Sequence, residues 1–269
     1  MSNTFNVKGY LPDPKDKKYL SYSKGLFKFG SESTNTNADL RPYSSPRHSQ
    51  RSTSTCVAQS VVKALEIKRI IEKGHDAHVD LSVLDVYYGA RDLMNPKMTD
   101  SDSGTYISLA CDVIRKIGVC REELHPFKES SLFIPPPIMA TREAYLNKID
   151  SHFKITSTKE ERVDDIIQNL QAHNPVVFGT AVGSNWFNYN GKGKIDVIKK
   201  SEIKGNHAMT IVGWVDGLFV VENSWGQNWG ENGFAYVSPD VMMDSRTQDI
   251  WVIVDGSETW YEGSLIKKG

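Results

Sequence analysis

A chain of 269 residues with a formal net charge of −1, 39% hydrophobic and 24% charged residues has an ordinary globular composition and can bury a full core. That charge gives no reason to expect nucleic acid or a membrane surface as partner, and no apolar run approaches the ~20 residues that span a bilayer. The opening stretch MSNTFNVKGYLPDPKDKKYL lacks the apolar core of a secretory signal, and three cysteines, an odd number, argue against a disulfide framework. The expected home is the cytoplasm or another reducing compartment.

Residues 1–38 differ in character from the rest. Pro12-Asp13-Pro14-Lys15-Asp16-Lys17-Lys18 is turn-rich and charged, Leu26-Phe27-Lys28-Phe29 is an apolar patch, and residues 31–37 form a Ser/Thr/Asn-rich linker. This region reads as an extended arm. A polar loop, Ser49-Gln50-Arg51-Ser52-Thr53-Ser54-Thr55, then delivers Cys56 to the first turn of a helix. Its apolar face carries Val57, Ala58, Val61, Val62, Ala64 and Leu65; Gln59, Lys63 and Glu66 share the other side, and Gly74 stops it. Ser82 is the expected N-cap of a second helix with Val83, Val86, Tyr87 and Ala90 on its core face. Residues 100–104 are a turn cluster. A third helix places Ile107, Ala110, Cys111, Ile114 and Ile117 at helical spacing, with Gly118 past its end. Ile134-Pro135-Pro136-Pro137 reads as a stiff link. Thr158 and Glu161 form a capping box for a helix bearing Val163, Ile166, Ile167 and Leu170, ended near Pro175.

The periodicity then changes. Residues 176–182, 208–214, 218–222, 233–238 and 250–255 are short, β-branched and bounded by turn formers, with Asp216-Gly217 as a hairpin signal. The predicted fold is α+β: a mainly helical half (about 50–150) packed against a mainly antiparallel, β-barrel-like half (about 158–255), with a cleft between them. Residues 39–255 form the main domain and 256–269 a tail. Cys111 and Cys120 lack the spacing of a zinc half-site, and no metal or cofactor is expected.

A thiol at a helix N-terminus is favoured as thiolate by unsatisfied N–H groups and the macrodipole, although a lone cysteine is by default a small buried hydrophobe. As a nucleophile it needs a base, and the base needs an orienter. His48, His75, His78, His125, His152 and His173 sit among polar neighbours in turns and connectors, where solvated surface roles suit them. His207, in Gly205-Asn206-His207-Ala208-Met209, stands at the mouth of an apolar strand. Asn223, at the next strand's exit, can accept an imidazole N–H and hold the ring without adding charge. Trp225 beside it can shield that bond.

Taken together, Gln50 six residues before Cys56, the helix beginning at the cysteine, "NHAMTIVGW" and "ENSWGQNWGENGF" make the chain resemble the papain-like cysteine peptidases, from about residue 39 to 254. His207 follows Cys56 by roughly 150 residues, near the separation such enzymes show. The resemblance implies Cys56 as nucleophile, His207 as base and later acid, and Asn223 as its orienter. Gln50 and the Cys56 N–H then form the oxyanion hole. It also implies that Ser103 and Gly104 pair with substrate backbone. Asn206 and Ala208 flank the pocket for the residue two before the cut, where Tyr106 and Gly179 join them, and Trp225 lies on the substrate side. The implied partner is a protein or peptide substrate, with a monomer assumed.

Several positions depart from the family pattern. Val57 and Thr53 stand where an aromatic residue and a disulfide cysteine are usual, and Arg51 and Ser54 replace loop glycines. The N-terminal arm is too short for a helical pro-domain and resembles the short "LPDP(K/R)D" extensions of prokaryotic and viral members. An arm lying through the cleft, removed or displaced on activation, is therefore expected, resting on the Leu26-Phe27-Lys28-Phe29 patch. The expected activity is that of a thiol endopeptidase. The alternatives are a catalytically silent binding protein on the same fold, or a thiol amidase or transpeptidase using the same acyl-enzyme.

Overall fold

The computed structural model describes residues 5–15, 19–21 and 36–255. The predicted patch at residues 26–29 and the tail at 256–269 lie outside them. The elements follow in chain order: strand β1 (Ala38–Asp39), helices α1 (Cys56–Lys73), α2 (Val83–Met94), α3 (Ile107–Lys116) and α4 (Ile138–Leu146), and strand β2 (Ser151–Ile155). Helix α5 (Lys159–Gln171), strand β3 (Val176–Gly183) and the short helix α6 (Ser184–Phe187) come next. Strands β4 (Ile203–Val215), β5 (Leu218–Glu222) and β6 (Phe234–Val237), helix α7 (Pro239–Met243) and strand β7 (Gln248–Val254) complete it. The fold is α+β, as the change of periodicity predicts.

Strands run in the order β2-β7-β3-β4-β5-β6, with β1 added on β4, all antiparallel. Among the described residues this sheet does not close on itself, so the barrel-like expectation is corrected to an open sheet. Asp216 (φ 50°) and Gly217 (φ 78°) make the predicted tight turn between β4 and β5, both left-handed as a primed hairpin turn demands. Five elements, β1, β2, α4, α6 and α7, escape the sequence pattern. β2 extends the sheet beyond β7, and α4 follows the proline link while exposing Ile138, Met139, Tyr145 and Leu146.

Two apolar clusters flank the cleft. One gathers β3–β7 with α5; the other gathers α1, α2 and α3 around Leu65, Tyr87 and Ile114. Helix α1 is buried on both faces from Cys56 to Lys68, so the side that carries Gln59, Lys63 and Glu66 meets protein and not solvent. Lys63 bonds Ser45 Oγ, the Pro46 carbonyl (2.9 Å) and Glu66 (3.1 Å), and Glu66 accepts the Leu81 N–H (3.0 Å) and faces His48 (3.2 Å). Burial alone would raise the Glu66 pKa, yet Lys63 and His48 hold it well below the usual carboxylate range. Lys63 also approaches Glu222 on β5 (3.9 Å), tying the helix that carries Cys56 to the strand that ends beside Asn223. His125 and His152 are likewise buried, the latter 3.1 Å from Asp112, against the solvated roles expected of them. Ser82 caps α2 through the Asp85 N–H as predicted, whereas Thr158 starts α5 without a side-chain cap bond. Ile117 at the α3 end is exposed.

Candidate active site

Cys56 opens α1 exactly where the polar loop ends, and its flank is rigid. Thr53 Oγ1 donates to the Gln50 carbonyl and pairs with Thr55 Oγ1, and Asp102 takes the Ser54 N–H with both carboxylate oxygens. Arg51 stands at φ 54°, a left-handed position that a glycine would fill without strain. From the sheet side, β4 brings His207 opposite Thr180, and the β5 exit brings Asn223, whose N–H is tied back to the Gly233 carbonyl (3.0 Å).

Asn223 Oδ1 accepts the Ser224 backbone N–H and lies 2.8 Å from His207 Nε2. An oxygen already accepting one N–H is an acceptor for the ring too, so Nε2 carries the proton. Nδ1 is left as the basic nitrogen and has no hydrogen-bond partner. Trp225 stacks on the imidazole at 4.8 Å between ring centres, excluding water from the His207–Asn223 bond. The Gln50 amide is constrained at three points. Its Oε1 accepts from Ser224 Oγ (2.8 Å), and its Nε2 donates to Thr53 O (2.9 Å) and to Asn6 O (3.0 Å).

The Asn6 contact shows what covers the site. Residues 5–13 run through the cleft as an extended strip. Phe5 stacks on Trp225 (4.2 Å, 6°), and Asn6 Nδ2 donates to Ser52 O and Ser54 Oγ. The Val7 carbonyl accepts the Asn206 N–H (2.9 Å), the Gly9 carbonyl accepts the Thr105 N–H (3.0 Å), and Leu11 N–H donates to Thr105 O (3.1 Å). Gly9 sits directly over the Cys56 sulfur: a Cβ there would lie 2.7 Å from Cys56 Sγ, and one on Gly104 would lie 2.5 Å from the Gly9 carbonyl. Two facing glycines allow this approach.

Cys56 and His207 are therefore fully buried. Burial pushes the Cys56 thiol up to about 12, against the Ala208 and Val57 N–H groups that favour thiolate. Burial also lowers His207 to about 4, although Asn223 supports its charged form. With the arm in place both groups are neutral, so desolvation outweighs the helix N-terminus.

The structure brings Cys56, His207, Asn223, Gln50 and Trp225 to one place in the cleft. Asn206 and Ala208 line the same cleft beside them. Ser103 and Gly104 border it, but the backbone pairing with the arm is made by Thr105, while the Gly104 N–H goes to Tyr87 Oη. Sequence reasoning did not single out Ser224, which fixes Gln50, nor Asp249, which bonds Tyr10 Oη at 2.6 Å. The adjacency of Ser224 to Asn223 was the signal for the first; nothing local marks the second. Among the described residues Glu66, His78 and Asp80 can bring three ligand atoms within 4.8 Å, but Glu66 is already engaged by Lys63, Ser45 and the Leu81 N–H. No described helix is long and apolar enough to cross a membrane, and all three cysteines are free.

Comparison with known proteins agrees with this geometry. A family model described as papain family cysteine protease matches residues 34–250. An uncharacterized peptidase C1-like protein of Acanthamoeba polyphaga mimivirus is 30% identical over 209 residues, 74% of this chain and 66% of that protein. A cysteine protease of Blomia tropicalis is 27% identical over 136 residues, 49% of this chain and 39% of that protein. The chain thus matches less than two thirds of the length of either relative. Among solved structures, xylellain, a cysteine protease from Xylella fastidiosa, superposes with a TM-score of 0.81 at 25% identity, over 93% of this chain and 96% of that one. A cysteine at a helix start, a histidine oriented by an asparagine and a match over most of the length have one common meaning: the chain belongs to the papain family of cysteine proteases.

Proposed function

We propose that the chain is a cysteine peptidase that hydrolyses peptide bonds through an acyl-enzyme on Cys56, and that residues 5–13 hold it inactive. The observation that carries this reading is the Gln50 amide. Two of its three bonds, to Ser224 and Thr53, come from the body of the protein, and the third goes to a carbonyl of the arm. When the arm leaves, one oriented N–H is free where an oxyanion would develop, a contact typically worth ~3 kcal/mol of barrier.

In the reaction the Cys56 thiol proton passes to His207 Nδ1 and the sulfur attacks the substrate carbonyl carbon. The oxyanion is held by Gln50 Nε2–H and the Cys56 N–H. Collapse breaks the C–N bond, and His207 gives its proton to the departing amine. Water then gives a proton to Nδ1 and attacks the thioester, releasing acid and thiol. Asn223 keeps Nε2–H engaged throughout, so Nδ1 remains the working nitrogen.

Full-length protein should be nearly silent toward a peptide library and gain turnover on removal of residues 1–38. Cys56→Ala should abolish turnover in both forms while leaving the fold intact by circular dichroism. Cleavage by Cys56→Ala at the wild-type rate would refute the assignment. A competing amine in the same assay separates hydrolysis from acyl transfer.

A further inference from the structure

We propose that the pocket filled by Tyr10 selects a tyrosine side chain in the substrate, and that Asp249 is the residue that reads its hydroxyl. This rests on the peptidase reading above and adds a substrate class to it.

The Tyr10 side chain is buried in one cluster with Val177, Ala208, Trp251 and Ile107. Its ring lies where a Cβ on Gly179 would stand, so a side chain at 179 would close the pocket. Gly179 pairs with Ala208 across β3 and β4, which sets both at one level of the cleft wall. The walls are apolar and the floor is not. Asp249 reaches the floor because the β3–β7 register slips between Val177 and Gly179 and its own backbone is left-handed (φ 52°). An irregularity of this kind re-aims a side chain, and strain of this kind collects at functional positions.

The Asp249 carboxylate is asymmetric in its partners. Oδ1 takes Lys154 Nζ at 2.6 Å, contributed by β2 in the body of the protein. Oδ2 takes only arm groups, Tyr10 Oη at 2.6 Å and the Asp13 N–H at 2.7 Å. When the arm leaves, the charge remains balanced by Lys154 but Oδ2 loses both donors. A lysine or arginine entering the pocket would meet an already neutralised carboxylate. A phenylalanine would leave Oδ2 without a donor at the end of an apolar shaft. A tyrosine fills the shaft and restores the bond. A pocket built to bond a hydroxyl discriminates strongly against the analogue that lacks it.

Two measurements test this. In the full chain, iodoacetamide labelling of Cys56 reads how often the arm opens. Tyr10→Phe removes only the hydroxyl and should speed labelling about tenfold, the usual scale for a bond to a charged acceptor. In an Asp249→Ala background the same change should have no effect; should that variant not fold, Asp249→Asn should shrink the effect to about threefold. Equal labelling of wild type and Tyr10→Phe overturns hydroxyl recognition whether or not the protein is a peptidase. The second measurement uses full chain carrying Phe5→Ala and Tyr10→Ala, which loosens the arm, with two fluorogenic peptides differing only in Tyr or Phe two residues before the cut. The tyrosine peptide should show a kcat/KM about tenfold higher, and Asp249→Ala should level the two. Cleavage of both at one rate overturns the pocket assignment and leaves the peptidase reading standing. Rapid Cys56 labelling with no peptide cleaved overturns the peptidase reading and the substrate claim with it.

Discussion

At its first described residue the arm is held by rings. Phe5 lies half-buried, stacked on Trp225 and tilted against Phe187, and among the described residues it makes no hydrogen bond. Eight residues later it is held by a buried carboxylate: Asp13 accepts from Trp251 Nε1 (3.0 Å), the Ser108 N–H (3.3 Å) and Lys154 Nζ (3.2 Å). Stacking is worth ~0.5–1.5 kcal/mol beyond the area it buries, and each bond to a charged group ~1.5–3 kcal/mol. The Phe5 end can therefore lift without disturbing the Asp13 end, but the reverse leaves the Trp251 indole and Ser108 N–H groups without their acceptor, while Lys154 keeps Asp249. Release should begin at Phe5, on the Trp225 side of the cleft, and finish at Asp13.

Breaking the strong end should have the larger effect. Asp13→Ala should raise the rate of Cys56 alkylation by about 100-fold, on the scale of losing one or two such bonds; an unchanged rate would mean the carboxylate does not anchor the arm. Phe5→Ala should raise it by only about tenfold, and amide exchange should show the N–H of Asn206, bonded to Val7, opening faster than that of Thr105, bonded to Gly9. Equal acceleration at both amides would contradict release from one end.

The pH dependence sharpens the comparison because each stretch carries its own titrating group. Cys56 stands near 12 under the arm against an ordinary value near 9, and Tyr10 is raised in the same direction by burial and Asp249. Raised pKa values in the covered form stabilise it below the ordinary values and lose that stabilisation as pH climbs. Opening should therefore increase above about pH 9, by about tenfold per pH unit for each proton released. On the acid side two groups oppose each other. His207 is depressed to about 4, so acidification from about 6.5 favours the open form, whereas Asp13 is raised by burial and the neighbouring Asp249, so acidification favours the covered form. Asp13→Asn removes the second effect and should give a clear rise in opening between pH 6.5 and 4. Intrinsic-rate-corrected exchange of the Thr105 amide measures both limbs, and a flat profile in that variant would exclude His207 as the acid-side group.

The sheet half was legible because β-branched runs between turn formers have few other readings, and the His207 and Asn223 segments carry motifs with fixed spacing. The strip over the cleft was not. Phe5, Val7 and Tyr10 find their partners far along the chain, at Trp225, Asn206 and Asp249, and no local pattern announces contacts that distant. The expectation of a covering arm attached to residues 26–29, whereas the described contacts belong to residues 5–13. Periodicity placed Lys63 and Glu66 on the side opposite the apolar face but could not say what meets them there; the two neutralise each other inside the protein. Strand β2 was hidden by its brevity and by His152 and Lys154 within it, and α4 by apolar residues that point to solvent.

Gly9 lying against Cys56 has a consequence for the chemistry of the sulfur itself. Oxidation by peroxide begins with a thiolate that solvent can reach. Under the arm Cys56 is neither ionised near neutral pH nor accessible. The contact that, on the proposed reading, would keep peptide bonds from the sulfur would thus also keep oxidants from it. On that reading the covered form would be a redox-protected store of the thiol, which would become vulnerable to sulfenic acid formation only once it became reactive toward substrate.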